Sequence, residues 1–145
     1  MLNIYVLEDH FIQQNRIEEV IHTILKKNNI KVGDFEVFDK PNQLLDFITE
    51  RGSHQLFFLD IQIKDDTKKG LEVAKQIRKS DPYANIVFFT THSEYLPLTF
   101  QYQLAALDFI DKSLEGEDFQ KRLESIILLT CKKIPVSYTH LTLPT

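Results

Sequence analysis

Cysteine is almost missing from this chain: one, Cys131, stands in 145 residues. A lone thiol makes no intramolecular disulfide and no cysteine-built zinc site. Positive charge is also short, since 17 Lys and Arg against 21 Asp and Glu leave a net −4. That balance excludes a basic chain that coats nucleic acid. Long apolar runs are absent, and stretches such as Ile126–Leu129 fall far below the length that crosses a bilayer. No signal peptide is read at the start, where a strand-like run, Leu2-Asn3-Ile4-Tyr5-Val6-Leu7, passes straight into carboxylates. A reducing, cytoplasmic address is therefore expected. What remains is a globular composition, 43% hydrophobic and 26% charged, at a length that fits one domain.

Two periodicities alternate along it. Short β-branched or aromatic runs occur at Ile4–Leu7, Phe35–Phe38, Leu56–Leu59, Ile86–Phe89 and Leu107–Ile110. Between them the apolar residues step with helical spacing. Ile17, Val20, Ile21, Ile24 and Leu25 make the clearest stripe, and Phe119, Leu123, Ile126 and Ile127 repeat it in the last segment. Leu44, Leu45 and Ile48 predict a shorter helix with Pro41 in its first turn. Leu71, Ala74 and Ile77 predict another, stopped by Asp81-Pro82. Ser93–Tyr102 reads as a helix only if Pro97 falls in its first turn. Five βα units in succession predict a parallel sheet with helices on both faces. Strands buried on both sides read as unbroken apolar runs, as Phe57-Phe58-Leu59 does.

Composition shifts after Lys132-Lys133. Residues 134–145 carry no charged residue except His140 and hold two of the five prolines. They are read as a non-native or linker-like tail, with the domain at residues 1–133. A linker into a second domain is the other reading.

In an open parallel sheet, ligands bind outside the carboxyl ends of the strands. The first strand ends in Glu8-Asp9, the third in Asp60, the fourth in Thr90-Thr91, and the fifth runs to Lys112. Carboxylates gathered on one rim repel, and burial raises their pKa values. A hard divalent cation such as Mg²⁺ removes the conflict and leaves room for a phosphoryl oxygen. Asp60 is then a candidate nucleophile for a phosphoryl group, while Lys112 and the Thr90 hydroxyl are candidates to hold its oxygens. Taken singly, each residue has an ordinary structural role: a helix cap, a turn former, a strand threonine, a surface lysine. Their joint placement on one edge carries the argument.

With these residues, Glu8-Asp9, Phe58-Leu59-Asp60, Thr90, Phe109 and Lys112, the sequence resembles the receiver domain of bacterial two-component response regulators. The separations of 30 residues from Asp60 to Thr90 and 52 from Asp60 to Lys112 are usual in that family, and the resemblance spans roughly residues 2–133. It implies a flavodoxin-like (βα)5 three-layer sandwich with strand order 2-1-3-4-5. It also implies that Asp60 is the phosphoacceptor, and that Glu8, Asp9, Asp60 and the backbone carbonyl of Gln62 hold Mg²⁺. Thr90 and Lys112 would contact the phosphoryl group, and Phe109 would be the aromatic switch residue. The partners implied are a sensor histidine kinase and a second copy of the chain on phosphorylation. Such a domain is a signalling module, not an enzyme.

Phe57–Ile61, Thr90–Glu94 and Leu104–Ile110 look like LytTR-type regulators of the peptide-pheromone branch, which controls competence, bacteriocin production and virulence. There the receiver is joined to a C-terminal LytTR domain, so DNA binding is implied only through a domain this chain lacks, and no membrane contact is implied.

Three features depart from the family pattern. Ser113 follows Lys112 where proline is common, so a trans bond is expected there. Thr91 is bulkier than the usual Ala or Gly. The stretch between Asp9 and Asp60 is longer than in minimal receivers, with the extra length placed near Asn28–Asp34.

Other residues are given ordinary roles. His10, His22, His54, His92 and His140 lack metal-ligand spacing, with tuning of phosphoryl lifetime as the other reading of His10 and His92. Cys131 is expected to pack. Tyr95, Phe100 and Tyr102 are expected in the core, with exposure pointing instead to a partner contact. Two rivals stand beside the receiver reading. One is a Mg²⁺-dependent phosphohydrolase with an Asp nucleophile, whose second acid would stand where Gln62 is. The other is a pseudo-receiver that takes no phosphate.

Overall fold

The computed structural model describes residues 1–134 apart from Asp65 and Thr67. Of the expected tail at 134–145, residues 135–145 lie outside the described residues, whereas Ile134 is half-buried and packs against the core, so it belongs with the fold. The elements run β1 (Leu2–Leu7), α1 (Phe11–Lys27), β2 (Val32–Phe38), α2 (Pro41–Phe47), β3 (Gln55–Leu59), α3 (Lys69–Ser80), β4 (Asn85–Thr90), α4 (Leu96–Gln101), β5 (Asp108–Asp111) and α5 (Gly116–Lys133). A 3₁₀ turn at Ser93–Tyr95 leads into α4. All strand pairs are parallel, in the order β2-β1-β3-β4-β5. This is the flavodoxin-like sheet expected from the sequence.

Apolar residues of the central strands divide by parity between two cores. Ile4, Val6, Leu56, Phe58, Val87 and Phe89 face the layer of α1 and α5, where they meet Ile17, Ile21, Ile24, Leu123 and Ile127. Tyr5, Leu7, Phe57, Leu59, Ile86 and Phe88 face the opposite layer with Leu44, Leu71, Ala74 and Ile77. Period-two side-chain direction thus turns one unbroken apolar run into two cores. Full burial of one such side chain is worth roughly 1.5–3 kcal/mol. The central strands, rather than the loops, hold the site's frame.

Local signals act as their chemistry requires. Pro41 occupies the first turn of α2, and Pro97 the first turn of α4. Asp81 ends α3 with its buried carboxylate accepting N–H groups of Tyr83 at 3.0 Å, Ala84 at 3.1 Å and Gly52 at 2.8 Å. Ile48 falls just outside α2 in extended conformation, yet still packs on the second core. Between Leu2 and Ile4 of β1 the partner on β2 steps from Val32 to Phe35, so one extra residue sits at Gly33-Asp34. That bulge lies inside β2, whereas the extra length was expected in the loop before that strand.

Gly70 marks the tightest approach in the frame. It sits at the start of α3, where its N–H donates to the Ile61 carbonyl at 2.7 Å. A β-carbon there would lie 2.7 Å from both the Asp60 carbonyl carbon and Ile61 Cα, and closer still to the Asp60 carbonyl oxygen. Only glycine lets α3 come this near the end of β3.

Phe100 is a correction to the reading of the aromatic cluster. It is 76% exposed on α4, whereas Tyr95 and Tyr102 pack against the second core. A six-residue helix has room for one inward stripe, and Thr99 and Leu98 take it. Cys131 packs against the first core as expected, and burial pushes its thiol pKa up.

Candidate functional site

Backbone pairing continues one step beyond the strands and sets the site. The Glu8 N–H donates to the Phe38 carbonyl at 2.9 Å, the Asp60 N–H to the Leu7 carbonyl at 3.0 Å, and the Lys112 N–H to the Thr90 carbonyl at 3.1 Å. Glu8 and Asp60 follow neighbouring strands β1 and β3, so their side chains leave the same edge side by side. Lys112 reaches them from β5 across the end of β4.

The reach is long but complete. The Lys112 ammonium donates to Asp60 Oδ2 at 2.6 Å and also forms an ion pair with Glu8 Oε1. Glu8 is 0% exposed, Asp60 5% and Lys112 9%. Burial raises the Glu8 carboxyl to about 7, against the opposing pull of Lys112, and the neighbouring charge of Asp60 adds to the rise. The remaining oxygens take backbone donors: Glu8 Oε2 from His10 N–H at 3.1 Å, Asp60 Oδ1 from Gln62 N–H at 3.3 Å, and Asp9 Oδ2 from Lys64 N–H at 2.7 Å.

A metal ion fits this donor set. Glu8, Asp9 and Asp60 each offer an oxygen, all within 4.8 Å of one another. Glu8 Oε1 is buried, and its partner is the Lys112 ammonium, which it shares with Asp60. One ammonium facing several carboxylates leaves negative charge uncompensated, and hard cations favour carboxylate oxygen. The three acids open into a hollow of about 270 Å³, lined also by Gln13, Gln62, Thr91 and His92.

A family profile described as the response regulator receiver domain matches residues 4–124. The chain belongs to the response regulator receiver domain family. It is 35% identical over 116 residues to accessory gene regulator protein A of Staphylococcus epidermidis strain RP62A, and 33% identical to that of Staphylococcus aureus strain N315. In both cases the match takes in 80% of this chain and 48% of the relative, so the chain spans about half the length of these curated relatives. This likeness supports the LytTR-type placement read from its motifs. Among solved structures it is similar to the response regulatory domain of protein mrkE from Klebsiella pneumoniae. The TM-score is 0.69 at 22% identity, covering 90% of this chain and 99% of that one. The non-phosphorylated HemR receiver domain from Leptospira biflexa gives a TM-score of 0.69 at 20% identity, covering 88% and 94%. These two likenesses speak for the fold.

In this receiver domain Glu8, Asp9, Asp60, Gln62 and Lys112 come together at the hollow. Thr90 does not face it. Its hydroxyl is wholly buried and accepts the His92 N–H at 3.1 Å, which puts Thr91 and His92 on the rim instead. Phe109 lies apart from the acids, half-buried beside Phe88 with ring centroids 6.2 Å apart. It borders an apolar groove of about 610 Å³ between α4 and β5, with Leu96, Phe100 and Leu107. His10 and His92 do reach the rim, and His92 bonds Glu94 at 3.1 Å. The peptide after Lys112 is trans, as expected with Ser113 there.

Sequence reading missed three contributors. Gln13 lines the hollow with a buried, unpartnered side-chain oxygen. Gln14 Nε2 donates to the Glu8 carbonyl at 2.5 Å. Arg16 bonds the carbonyls of Lys112 and Leu114. All three lie on α1 off its buried stripe, so their only signal was the first helix following the acidic pair directly.

Among the described residues, no helix is long and apolar enough to cross a membrane.

Proposed function

We propose that this receiver domain accepts a phosphoryl group on Asp60 from the phosphohistidine of a sensor kinase, in a Mg²⁺-dependent reaction. The observation that carries the reading is the junction of Lys112 with Glu8 and Asp60 at one end of the sheet. Glu8, Asp9, Asp60 and the Gln62 carbonyl would hold Mg²⁺, which when bound neutralises charge on the acids and on phosphoryl oxygens. An Asp60 carboxylate oxygen forms a bond to phosphorus as the phosphorus–nitrogen bond of the donor breaks, and the electron pair leaves with the imidazole. Lys112 stays paired with negative charge throughout, first on the carboxylate and then on the acyl phosphate.

Switching would follow at Thr90 and Phe109. The Thr90 hydroxyl, which accepts the His92 N–H, would turn to donate its own O–H to a phosphoryl oxygen, opening space into which Phe109 turns. The groove between α4 and β5 would change shape and favour self-association. In this reading new charge-assisted bonds bias a two-state element, at about 1.4 kcal/mol for each tenfold shift in population. In a longer parent protein, a LytTR-type domain would couple the switch to DNA binding and transcription in peptide-pheromone quorum sensing, within the cytoplasm. The likeness to accessory gene regulator protein A supports that extension.

Intact mass after incubation with Mg²⁺ and a small-molecule phosphodonor tests the core of the proposal. One added phosphoryl group, stable in acid and labile in base, is expected, and Asp60→Ala should abolish it. An Asp60→Ala protein that still gains the group would refute the assignment. A parent chain that gains none would leave the pseudo-receiver reading.

A further inference from the structure

The backbone that carries Lys112 is tied to the sheet by the bond from Lys112 N–H to the Thr90 carbonyl, and Leu114 packs against the first core. Ser113 follows the lysine, so no proline ring stiffens the backbone there. Its internal bonds are those of a short turn: Leu114 N–H to the Asp111 carbonyl at 3.2 Å and Ser113 N–H to Asp111 Oδ1 at 2.8 Å. Asp111 itself is exposed. Neither turn bond involves the carbonyls of Lys112 and Leu114.

Arg16 supplies the missing restraint from the far end of the sequence. Its Nη1 donates to the Lys112 carbonyl at 2.8 Å and its Nη2 to the Leu114 carbonyl. The guanidinium carbon lies 3.8 Å from the centre of the Phe119 ring on α5, and the charge of Glu115 is close by. The planar fork therefore bridges two carbonyls while its face rests on an aromatic ring, a geometry an ammonium cannot reproduce. Arg16 does not line the acidic hollow, so it touches none of the reacting groups itself.

The geometry points to Arg16 as a positioning residue, which fixes the lysine loop so that Lys112 meets Asp60 in register for phosphoryl transfer. The assignment rests on the proposed phosphorylation of Asp60. Displacing a catalytic partner by about 1 Å costs rate on the order of 100-fold. Arg16→Ala should therefore slow phosphoryl uptake at saturating phosphodonor by roughly 10–100-fold, and Arg16→Lys should restore part of it.

Two measurements separate positioning from a general loss of structure. The first is the rate of phosphoryl uptake by Arg16→Ala, Lys112→Ala and the double variant. If Arg16 acts through Lys112, the double variant is no slower than Lys112→Ala. If the two losses multiply, the assignment is overturned. The second is amide hydrogen exchange, which should quicken at Lys112 and Leu114 in Arg16→Ala and stay unchanged at Asp60. Unchanged exchange at Lys112 and Leu114 overturns the assignment. Should Arg16→Ala not fold, Arg16→Lys carries both measurements, with a smaller effect in the same direction. A parent chain that takes up no phosphoryl group would reject the proposed function alone. Exchange would then decide whether Arg16 holds the loop.

Discussion

Replacing Gly70 by alanine would drive a methyl group into the backbone that carries Asp60. The new carbon would sit 2.7 Å from the Asp60 carbonyl carbon and from Ile61 Cα, where ordinary contact begins at 3.4 Å. The neighbours are main chain, so no rotamer change relieves the clash. Either α3 moves off the sheet by well more than about 0.7 Å, since the Asp60 carbonyl oxygen lies nearer than either carbon, or the end of β3 does, and the first choice strains the 2.7 Å bond from Gly70 N–H to the Ile61 carbonyl. Overpacking of this kind costs about 1–3 kcal/mol, and rigid neighbours place it at the upper end. Alanine returns up to about 1 kcal/mol through its higher helix propensity. The net loss is about 2 kcal/mol, or about 1 M in the urea midpoint at a slope of about 2 kcal/mol/M. Gly116→Ala is the control, since that glycine has φ +53° and nothing within 4 Å of the added carbon. Its cost comes only from the left-handed backbone, about 1 kcal/mol. Urea unfolding of both variants, together with phosphoryl uptake by Gly70→Ala, checks the reasoning. A Gly70→Ala protein as stable as its parent, or more stable than Gly116→Ala, would refute it.

Further outcomes are expected. Mg²⁺ should raise the thermal midpoint, since it would bind only the assembled acids; a concentration one hundredfold over Kd is worth about 2.7 kcal/mol, and Asp60→Asn should shrink the rise. An equal rise in Asp60→Asn would place the ion elsewhere. Tyr5 is buried, which pushes its phenol from 10.0 up to about 12. A raised phenol pKa contributes stability that is whole below pH 10 and lost as pH rises through 12. Tyr5→Phe should therefore flatten the alkaline decline in stability measured by denaturant titration, and an unaltered decline would exclude Tyr5 as its source.

The βα alternation, the two-sided burial of the strands and the convergence of Glu8, Asp9, Asp60 and Lys112 on one edge were legible in the residues. Apolar runs and their helical or strand spacing express local burial, and a parallel sheet places every strand's carboxyl end on the same side. The direction of each side chain at that edge was not legible. Thr90 turns inward while Thr91 and His92 reach the rim, because the backbone bends after β4 around the Thr90 hydroxyl. Phe100 looked like core and is exposed, because the single inward stripe of the short α4 is taken by Leu98 and Thr99.

Local chemistry along the chain thus determined which elements form and which charged residues share an edge. Only tertiary packing decided that Lys112 joins Glu8 to Asp60, that Arg16 fastens the lysine loop, and that Gly70 admits α3 against β3. The Lys112 and Arg16 contacts join segments distant in sequence, and the geometry of all three depends on strand register and helix docking, which no short stretch of residues encodes.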